Sequence, residues 1–185
     1  MLEQCVIEYC APTLAGIKTG NLFSLKTENK ENAKEELKEL NEMLHKKGIN
    51  IVSVKESDKR ILLYLYRPDF LKKELSNPEA IEILEERGYT CESVDMCLCQ
   101  LRRNLANYDD FPHEIGLFLG YPPADVKCFI NNPSDGVVCV GCWKAYNNKD
   151  KAEATFRKFK KCSECYMRQY KNGKTLKQLL VQARN

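Results

Sequence analysis

The sequence contains only two histidines, His45 and His113, a single tryptophan, and no long run of apolar residues. Two imidazoles are too few for a polyhistidine metal site, so a metal ion would need sulfur or carboxylate ligands. No apolar stretch approaches the roughly 20 residues that a membrane-spanning helix requires. The chain also begins with an acidic segment that lacks the basic and apolar parts of a secretory signal. These absences predict a cytoplasmic protein without membrane contact.

The common catalytic and nucleotide-binding motifs are missing as well. The sequence has no G-x-x-x-x-G-K-[ST] phosphate loop, no G-x-G-x-x-G fingerprint, no G-x-S-x-G elbow and no H-E-x-x-H pair. P-loop hydrolysis, a Rossmann dinucleotide site and the common hydrolase and zincin classes therefore have no support. Whether the protein is an enzyme stays open at this point.

Ten cysteines are the unusual part of the composition. Thiols stay reduced in the cytosol, so buried apolar residues, metal ligands or reactive thiols are favoured over disulfides. The strongest formal motif combines Cys139-x-x-Cys142 with Cys162-x-x-Cys165, a spacing close to that of zinc ribbons. The predicted strand and helix that carry these pairs point their sulfurs in different directions, which weighs against a shared ion. Two interpretations stay open: the four cysteines hold zinc or iron, or two of them pack in the core and the other two have no specific role.

Positive charge is concentrated near the end of the chain. Residues 144–185 hold 12 Lys and Arg against 3 Asp and Glu, so the net charge of +3 divides into +9 there and −6 elsewhere. On a helix predicted over 150–171, an apolar stripe leaves six basic side chains exposed: Lys151, Arg157, Lys158, Lys160, Lys161 and Arg168. Such a face attracts an acidic protein or nucleic acid, but it is also stable as a solvated surface. We favour a protein partner, because the aromatic residues of the stripe are needed for the core rather than for base stacking.

Periodicity and the positions of proline and glycine predict an α+β fold. We expect one domain over residues 1–185, with a small mixed or mostly antiparallel sheet of about four strands packed with several helices. Residues 150–185 form a basic, helical end of this domain. The chain is long enough for a substantial core and short for two domains.

Four local predictions carry most of this fold. The run at 60–67 is apolar on both faces, which is typical of a central strand, and it forms a hairpin with the run at 49–55. A last strand is predicted over 137–146. The first helix is predicted to end at Ala11-Pro12, since proline cannot continue a helix without losing a hydrogen bond.

Three short segments place polar residues beside glycine or proline at the ends of predicted elements, where binding sites are often built. Their side chains are the candidate ligand-binding residues: Cys10, Thr13 and Lys18 in the first segment, His113 and Glu114 in the second, Lys144 and Tyr146 in the third. If the segments converge, they supply a thiol, an imidazole, carboxylate and ammonium groups to one cleft.

A cysteine enzyme is the competing interpretation. His113 would act as the base, and Cys10 or Cys91 as the nucleophile, with Cys91 placed at a predicted helix start that would lower its thiol pKa. The simpler interpretation of His113 is a surface histidine in the first turn of a helix.

The segments at 10–18 (CAPTLAGIK), 111–122 (FPHEIGLFLGYP) and 143–146 (WKAY) resemble the domain-of-unknown-function 3793 family of anaerobic, mainly clostridial bacteria, and the resemblance spans nearly the whole chain. It implies a stand-alone cytosolic protein, associated with flavodoxin and iron-transport genes, and no established reaction. With the thiol-rich composition, it leads to the hypothesis of a binding or accessory protein in anaerobic redox or metal (iron) handling. A thiol-dependent enzyme and a nucleic-acid-binding protein are the alternatives.

Overall fold

Proline and glycine residues mark most of the element boundaries in the computed structural model. The structure describes residues 2–107 and 111–182, except the side chain of residue 107. Within these ranges the helices are α1 (Leu2–Leu14), α2 (Lys30–His45), α3 (Pro68–Leu75), α4 (Pro78–Glu86), α5 (Val94–Asn107), α6 (Ile115–Phe118), α7 (Pro123–Asn131), α8 (Lys149–Lys171) and α9 (Leu176–Leu179). The strands are β1 (Gly20–Lys26), β2 (Asn50–Ser57), β3 (Arg60–Tyr66), β4 (Cys139–Val140) and β5 (Lys144–Ala145). This content confirms the predicted α+β class.

The elements divide into two compact units. The sheet unit comprises Met1–Phe70 with Phe159–Asn185, and the helical unit comprises Leu71–Lys158. A single domain over residues 1–185 stays a prediction. In the described part of the chain, no helix is both long enough and apolar enough to cross a membrane.

The sheet unit is built on three antiparallel strands in the order β1-β3-β2. β2 and β3 form the predicted hairpin, and β3 occupies the predicted central position. Ile61, Leu63 and Leu65 face a core that also receives side chains from α1, α2 and α9. On the opposite face, Tyr64 is fully buried and stacks on Tyr66 with ring centroids 4.8 Å apart. Both faces of β3 are therefore buried, as its apolar residues on both faces predict.

The first helix continues past its predicted end. α1 includes Pro12 as an interior residue, although proline removes one helical hydrogen bond. Cys10 and Ala11 are fully buried, and the burial of this turn outweighs the local cost. Cys10 consequently lies on the buried face of a helix and not, as the sequence predicts, at the mouth of a turn.

Arg67, the residue after β3, supports the end of α1 from within the core. Its side chain is 1% exposed. Nε donates to the carbonyl of Thr13 at 2.7 Å, and Nη2 donates to the carbonyls of Leu14 at 2.8 Å and Val181 at 2.7 Å. The last carbonyls of a helix have no partner within it, so the guanidinium satisfies two of them and also attaches the chain after α9. Burial lowers the pKa of Arg67.

In the helical unit, α7 packs against α4, α6 and β5. The strand predicted over 137–146 is interrupted: the chain reverses between β4 and β5, which pair antiparallel with Cys139 opposite Ala145. Gly141 lies in this reversal, and a Cβ there would overlap the ring of Phe156. Within residues 2–107 and 111–182 the strands form a three-stranded antiparallel sheet and a two-stranded antiparallel ribbon. The predicted small, mostly antiparallel sheet packed with several helices is therefore confirmed, with its strands divided between these two.

α8 matches the long helix predicted over 150–171. All six basic residues of the predicted exposed face have exposed side chains: Lys151, Arg157, Lys158, Lys160, Lys161 and Arg168. Ala152 and Phe159 of the opposite stripe are buried. The amphipathic pattern of this helix is confirmed.

Candidate functional site

In the helical unit, a cleft with a volume of about 380 Å³ lies between the α6–α7 segment and the β4–β5 ribbon. We call it the aromatic cleft, because ring-bearing residues supply much of its lining. It is lined by Phe111, His113, Ile115, Gly116, Leu119, Tyr121, Asp125, Val126, Phe129, Trp143 and Lys144. These residues come from the second and third segments that the sequence singles out, together with α7.

Glycine and proline position the wall formed by α6 and α7. Gly120 adopts φ 75° directly after α6, a conformation that glycine reaches without strain. Pro122 and Pro123 then start α7. Gly116 on α6 faces Val126 on α7, and a Cβ on Gly116 would lie 2.9 Å from the Val126 side chain. The two helices can approach this closely only because residue 116 has no side chain.

The rings of the cleft pack in pairs. Tyr121 and Trp143 stack with centroids 5.0 Å apart and an interplanar angle of 29°. Trp143 also meets Phe156 edge-on at 4.6 Å. The exposed His113 contacts the ring of Phe129 edge-on at 4.9 Å. Burial raises the pKa of Tyr121 to about 12, so its hydroxyl is neutral at physiological pH.

Asp125 fixes the ribbon against α7. Its side chain is 4% exposed, and Oδ2 accepts a hydrogen bond from Trp143 Nε1 at 2.9 Å. Oδ1 accepts from the backbone N–H groups of Tyr146 and Asn147 and from Asn147 Nδ2, at 2.9 to 3.2 Å. Four donors thus compensate one buried carboxylate and hold the indole ring in the cleft wall. Sequence reasoning did not assign this role to Asp125.

Lys144 brings a positive charge to the same cleft. Its Nζ donates to the carbonyl of Pro133 at 2.9 Å and lies 5.6 Å from the centroid of the Phe129 ring. Tyr146 donates from its hydroxyl to the same Pro133 carbonyl at 3.1 Å. Of the predicted candidates, His113 and Lys144 line the cleft, and Tyr146 shares a partner with Lys144.

Glu114 has a different environment from its neighbour His113. It is 4% exposed, and Oε1 accepts hydrogen bonds from Tyr89 Oη at 2.9 Å and Asn104 Nδ2 at 3.3 Å. Asn104 also donates to Tyr89 Oη at 3.2 Å. Burial and the Glu114 carboxylate raise the pKa of Tyr89. Glu114 therefore belongs to a closed internal network and does not line the aromatic cleft.

The candidates of the first segment belong to the sheet unit. Cys10 is fully buried, and this burial raises the pKa of its thiol far above the ordinary value. Thr13 donates from its hydroxyl to Asn21 Oδ1 at 2.7 Å. Lys18 is 8% exposed, and its Nζ lies 5.9 Å from the centroid of the Phe159 ring. Each of these side chains has a role in packing within its own unit.

None of the ten cysteines, all of which lie in the described residues, forms a disulfide. Among residues 2–107 and 111–182, no three or more His, Cys, Asp or Glu side chains are grouped so that they could hold a metal ion. The zinc motif is divided between the units: Cys139 and Cys142 belong to the ribbon of the helical unit, whereas Cys162 and Cys165 lie on α8 within the sheet unit. A metal site built from these four cysteines has no support in the described structure.

Cys91 does not lie at a helix start, because α5 begins at Val94. Its thiol exchanges a hydrogen bond with that of Cys97, and burial raises the pKa of both groups, that of Cys97 to about 11. A raised pKa keeps a thiol protonated and weakens it as a nucleophile. The dipole argument for a reactive Cys91 is therefore wrong.

The model of the family described as "Protein of unknown function (DUF3793)" matches residues 6–180. The chain belongs to this family, and the resemblance seen in its motifs is confirmed. Comparisons with curated proteins and with solved structures give no match.

Proposed function

We propose that this member of the DUF3793 family is a cytosolic binding or accessory protein, and that a small organic molecule binds in the aromatic cleft. The observation that carries the proposal is the cleft itself. Its volume of about 380 Å³ lies within the roughly 300–1,000 Å³ range of small-molecule sites. Such sites combine apolar and aromatic walls with a few polar groups, and here those groups are His113, Asp125 and Lys144.

Two features argue against an accidental gap in packing. The cleft has an aromatic residue at its edge, Phe111, which is 47% exposed although it is large and apolar. An exposed apolar side chain beside a concave apolar surface is typical of a binding site. In addition, Asp125 uses four hydrogen bonds to hold Trp143 and the ribbon in place, so the wall is formed before any ligand arrives.

Binding has more support than cysteine catalysis. A cysteine nucleophile needs a lowered thiol pKa and a base within hydrogen-bond reach. Burial raises the pKa of Cys10, Cys91 and Cys97, and the ring contact of His113 is with Phe129. The enzyme alternative would require a rearrangement of these groups.

Binding in the cleft is tested with N-phenyl-1-naphthylamine, an uncharged aromatic probe. Trp143 is the only tryptophan in the chain and lines the cleft, so energy transfer from its emission reports probe bound near this site, and the variants below localise it to the cleft. We expect saturable transfer in the wild type. Phe111→Ala should weaken binding about fivefold, because about 1 kcal/mol of apolar contact is lost.

Met96→Ala is the matched control. Met96 is also a large apolar residue of the helical unit, 42% exposed, but it does not line the cleft. Its removal should leave the probe affinity unchanged. Absence of saturable transfer in the wild type, or equal weakening by both variants, would contradict the proposal.

A role in anaerobic redox or metal handling is a separate part of the hypothesis. It rests on the ten cysteines and on the resemblance, and not on a grouping of ligands in the described residues. Elemental analysis and absorption spectroscopy of protein purified without oxygen test it. Stoichiometric iron or zinc would support metal handling, and Cys139→Ser with Cys162→Ser should then remove the metal. A colourless, metal-free protein would remove this part of the hypothesis and leave the cleft proposal standing.

The exposed basic face of α8 supports a second proposal, an acidic protein partner. The test variant changes four residues of this face to Glu: Arg157, Lys158, Lys160 and Lys161. The control variant makes the same change at four exposed lysines of the sheet unit: Lys38, Lys46, Lys55 and Lys59. A partner that survives nuclease treatment, weakens at high salt and is lost only in the α8 variant supports the proposal. Partners that disappear with nuclease would indicate nucleic acid instead.

A further inference from the structure

We infer that the aromatic cleft selects a planar aromatic molecule that carries an anionic group, and that Lys144 recognises the anion. This inference rests on the proposed binding function and adds the chemical class of the ligand. Three observations carry it. Aromatic rings form the wall of the cleft, hydrogen bonds compensate the charge of Asp125 more fully than that of Lys144, and the hydrogen-bond acceptor of Lys144 has a second donor.

The rings favour a flat ligand with a π system. Tyr121 and Trp143 present a stacked pair to the cleft, and Phe129 lines it beside His113. Aromatic rings gain contact energy from offset-stacked and edge-on partners beyond simple burial of area. A planar aromatic molecule can use both geometries in one cleft, which a compact aliphatic molecule cannot.

The charges favour an anion. Asp125 is surrounded by four N–H donors, so its negative charge is compensated where it lies. Lys144 donates to one neutral carbonyl, and among the described residues it has no carboxylate partner. Among the described residues that line the cleft, the uncompensated charge is therefore positive. Apolar walls lower the local dielectric and strengthen its attraction for a negative group.

Lys144 can also leave its present partner at little cost. The carbonyl of Pro133 accepts hydrogen bonds from both Lys144 Nζ and Tyr146 Oη. If Lys144 moves to a ligand, Tyr146 still satisfies this carbonyl, and no acceptor is left unpaired. The exchange replaces a bond to a neutral oxygen with a stronger bond between two charged groups. Tyr146 is thus a positioning residue for the exchange.

The test uses two probes that differ by one anionic group: N-phenyl-1-naphthylamine and 8-anilinonaphthalene-1-sulfonate. Both accept energy from Trp143, and transfer falls steeply with distance, so the signal is weighted toward probe bound near the cleft, while the Lys158→Met control below reports any contribution from the basic surface. We expect the sulfonate to bind wild type at least about tenfold more tightly than the neutral probe. Lys144→Met should remove that difference while the affinity for the neutral probe changes less than twofold. Lys144→Arg, which keeps the charge, should retain most of the preference.

Lys158→Met is the control, because it removes one exposed positive charge from the same unit away from the cleft. It should preserve the preference for the sulfonate. A wild type without this preference, or a Lys144→Met variant that retains it, would overturn the inference. Loss of both probes in Lys144→Met with unchanged circular dichroism would also overturn it, since Lys144 would then shape the cleft and not select an anion. Failure of both probes to bind wild type would refute the binding function itself.

Discussion

The two units each bury a charged side chain without an opposite charge beside it, and they do so in complementary ways. In the sheet unit, the guanidinium of Arg67 donates to backbone carbonyls. In the helical unit, the carboxylate of Asp125 accepts from backbone N–H groups and from two side chains. Buried charges require full hydrogen bonding. Backbone carbonyls supply it for Arg67, whereas two backbone and two side-chain donors share it for Asp125.

The two buried charges nevertheless serve different ends. Arg67 joins carbonyls of residues 13, 14 and 181, which are far apart in the chain, and so closes a core. The donors to Asp125 all come from residues 143–147, and Asp125 itself lies in the wall of an open cleft. One buried charge therefore stabilises the core of the sheet unit, whereas the other maintains the shape of the aromatic cleft.

The largest loss of stability should come from removing the buried charge of Arg67 in the sheet unit. Arg67→Met puts an apolar side chain of similar length in place of the guanidinium and removes its three hydrogen bonds to the carbonyls of Thr13, Leu14 and Val181 from the core. The Thr13 and Leu14 carbonyls then keep one backbone donor each, from Gly16 and Val181. We expect the free energy of unfolding to fall by about 3–5 kcal/mol, measured by urea denaturation followed by circular dichroism. Arg60→Met, at an exposed arginine of β3, is the control and should cost little. A loss below 1 kcal/mol in Arg67→Met would show that water replaces the guanidinium.

The corresponding change in the helical unit is Asp125→Asn. The amide keeps the shape but presents an NH₂ group to N–H donors, so we expect a loss of about 2–3 kcal/mol. Trp143 should also become more mobile and more exposed, with a red-shifted emission and weaker binding of the aromatic probes. Asp135→Asn, at an exposed aspartate of the same unit, should change neither signal. Unchanged Trp143 emission in Asp125→Asn would contradict the proposed role of this carboxylate.

Adding a methyl group in the sheet unit tests whether its packing can be disturbed without changing the surroundings of Trp143 in the helical unit. β1 begins at Gly20, where a Cβ would lie 2.6 Å from the ring of the fully buried Tyr64. Gly20→Ala should therefore cost about 1–3 kcal/mol through overpacking, seen as a lower urea midpoint. Its Trp143 emission in the native state should match wild type. Ser24→Ala, at an exposed position of β1, is the control and should be neutral.

Alkaline titration should show a smaller effect, centred on the cleft. Burial raises the pKa of Tyr121 to about 12, whereas a tyrosine in the unfolded chain ionises near 10. Because the folded-state pKa is the higher one, this contribution to stability is complete below about pH 10 and is lost as the pH rises toward 12. Tyr121→Phe should flatten that part of the stability profile. Equal profiles for both proteins would mean that Tyr121 ionises as freely as in the unfolded chain.

The smallest effect should follow reversal of the basic face of α8. Changing Arg157, Lys158, Lys160 and Lys161 to Glu alters exposed side chains that contribute little to folding. The midpoint of thermal unfolding should move by less than about 3 °C. A larger fall would indicate that this face packs against other groups, which would also weaken its assignment as a partner surface.

The fold was predictable where a local pattern and the tertiary environment agree. Apolar residues on both faces of β3 predicted a central strand, and the stripe of α8 predicted which lysines are exposed. The end of α1 was not predictable from Pro12, because burial of the surrounding turn outweighs the missing hydrogen bond. The ribbon at β4 and β5 was missed for a similar reason, since the reversal at Gly141 depends on the ring of Phe156.

The candidate site was predicted in part. His113 and Lys144 were selected from the sequence, and both line the aromatic cleft. Asp125 was assigned no role, because the sequence does not show that its carboxylate meets the N–H groups of residues 143–147. Trp143 was noted only within the family motif. A lone tryptophan close to a basic residue and a glycine was the signal that could have identified it.

The sequence by itself determined the α+β class, the hairpin, the exposed basic face of α8 and family membership, because each depends on patterns of neighbouring residues. Only the tertiary structure decided that Cys10 and Glu114 are internal while His113 and Lys144 share a cleft. Periodicity shows which face of an element is apolar, but it does not show which faces meet. The positions of Arg67 and Asp125 depend on such meetings, since their hydrogen-bond partners come from other elements and are brought to them only by the packing of the chain.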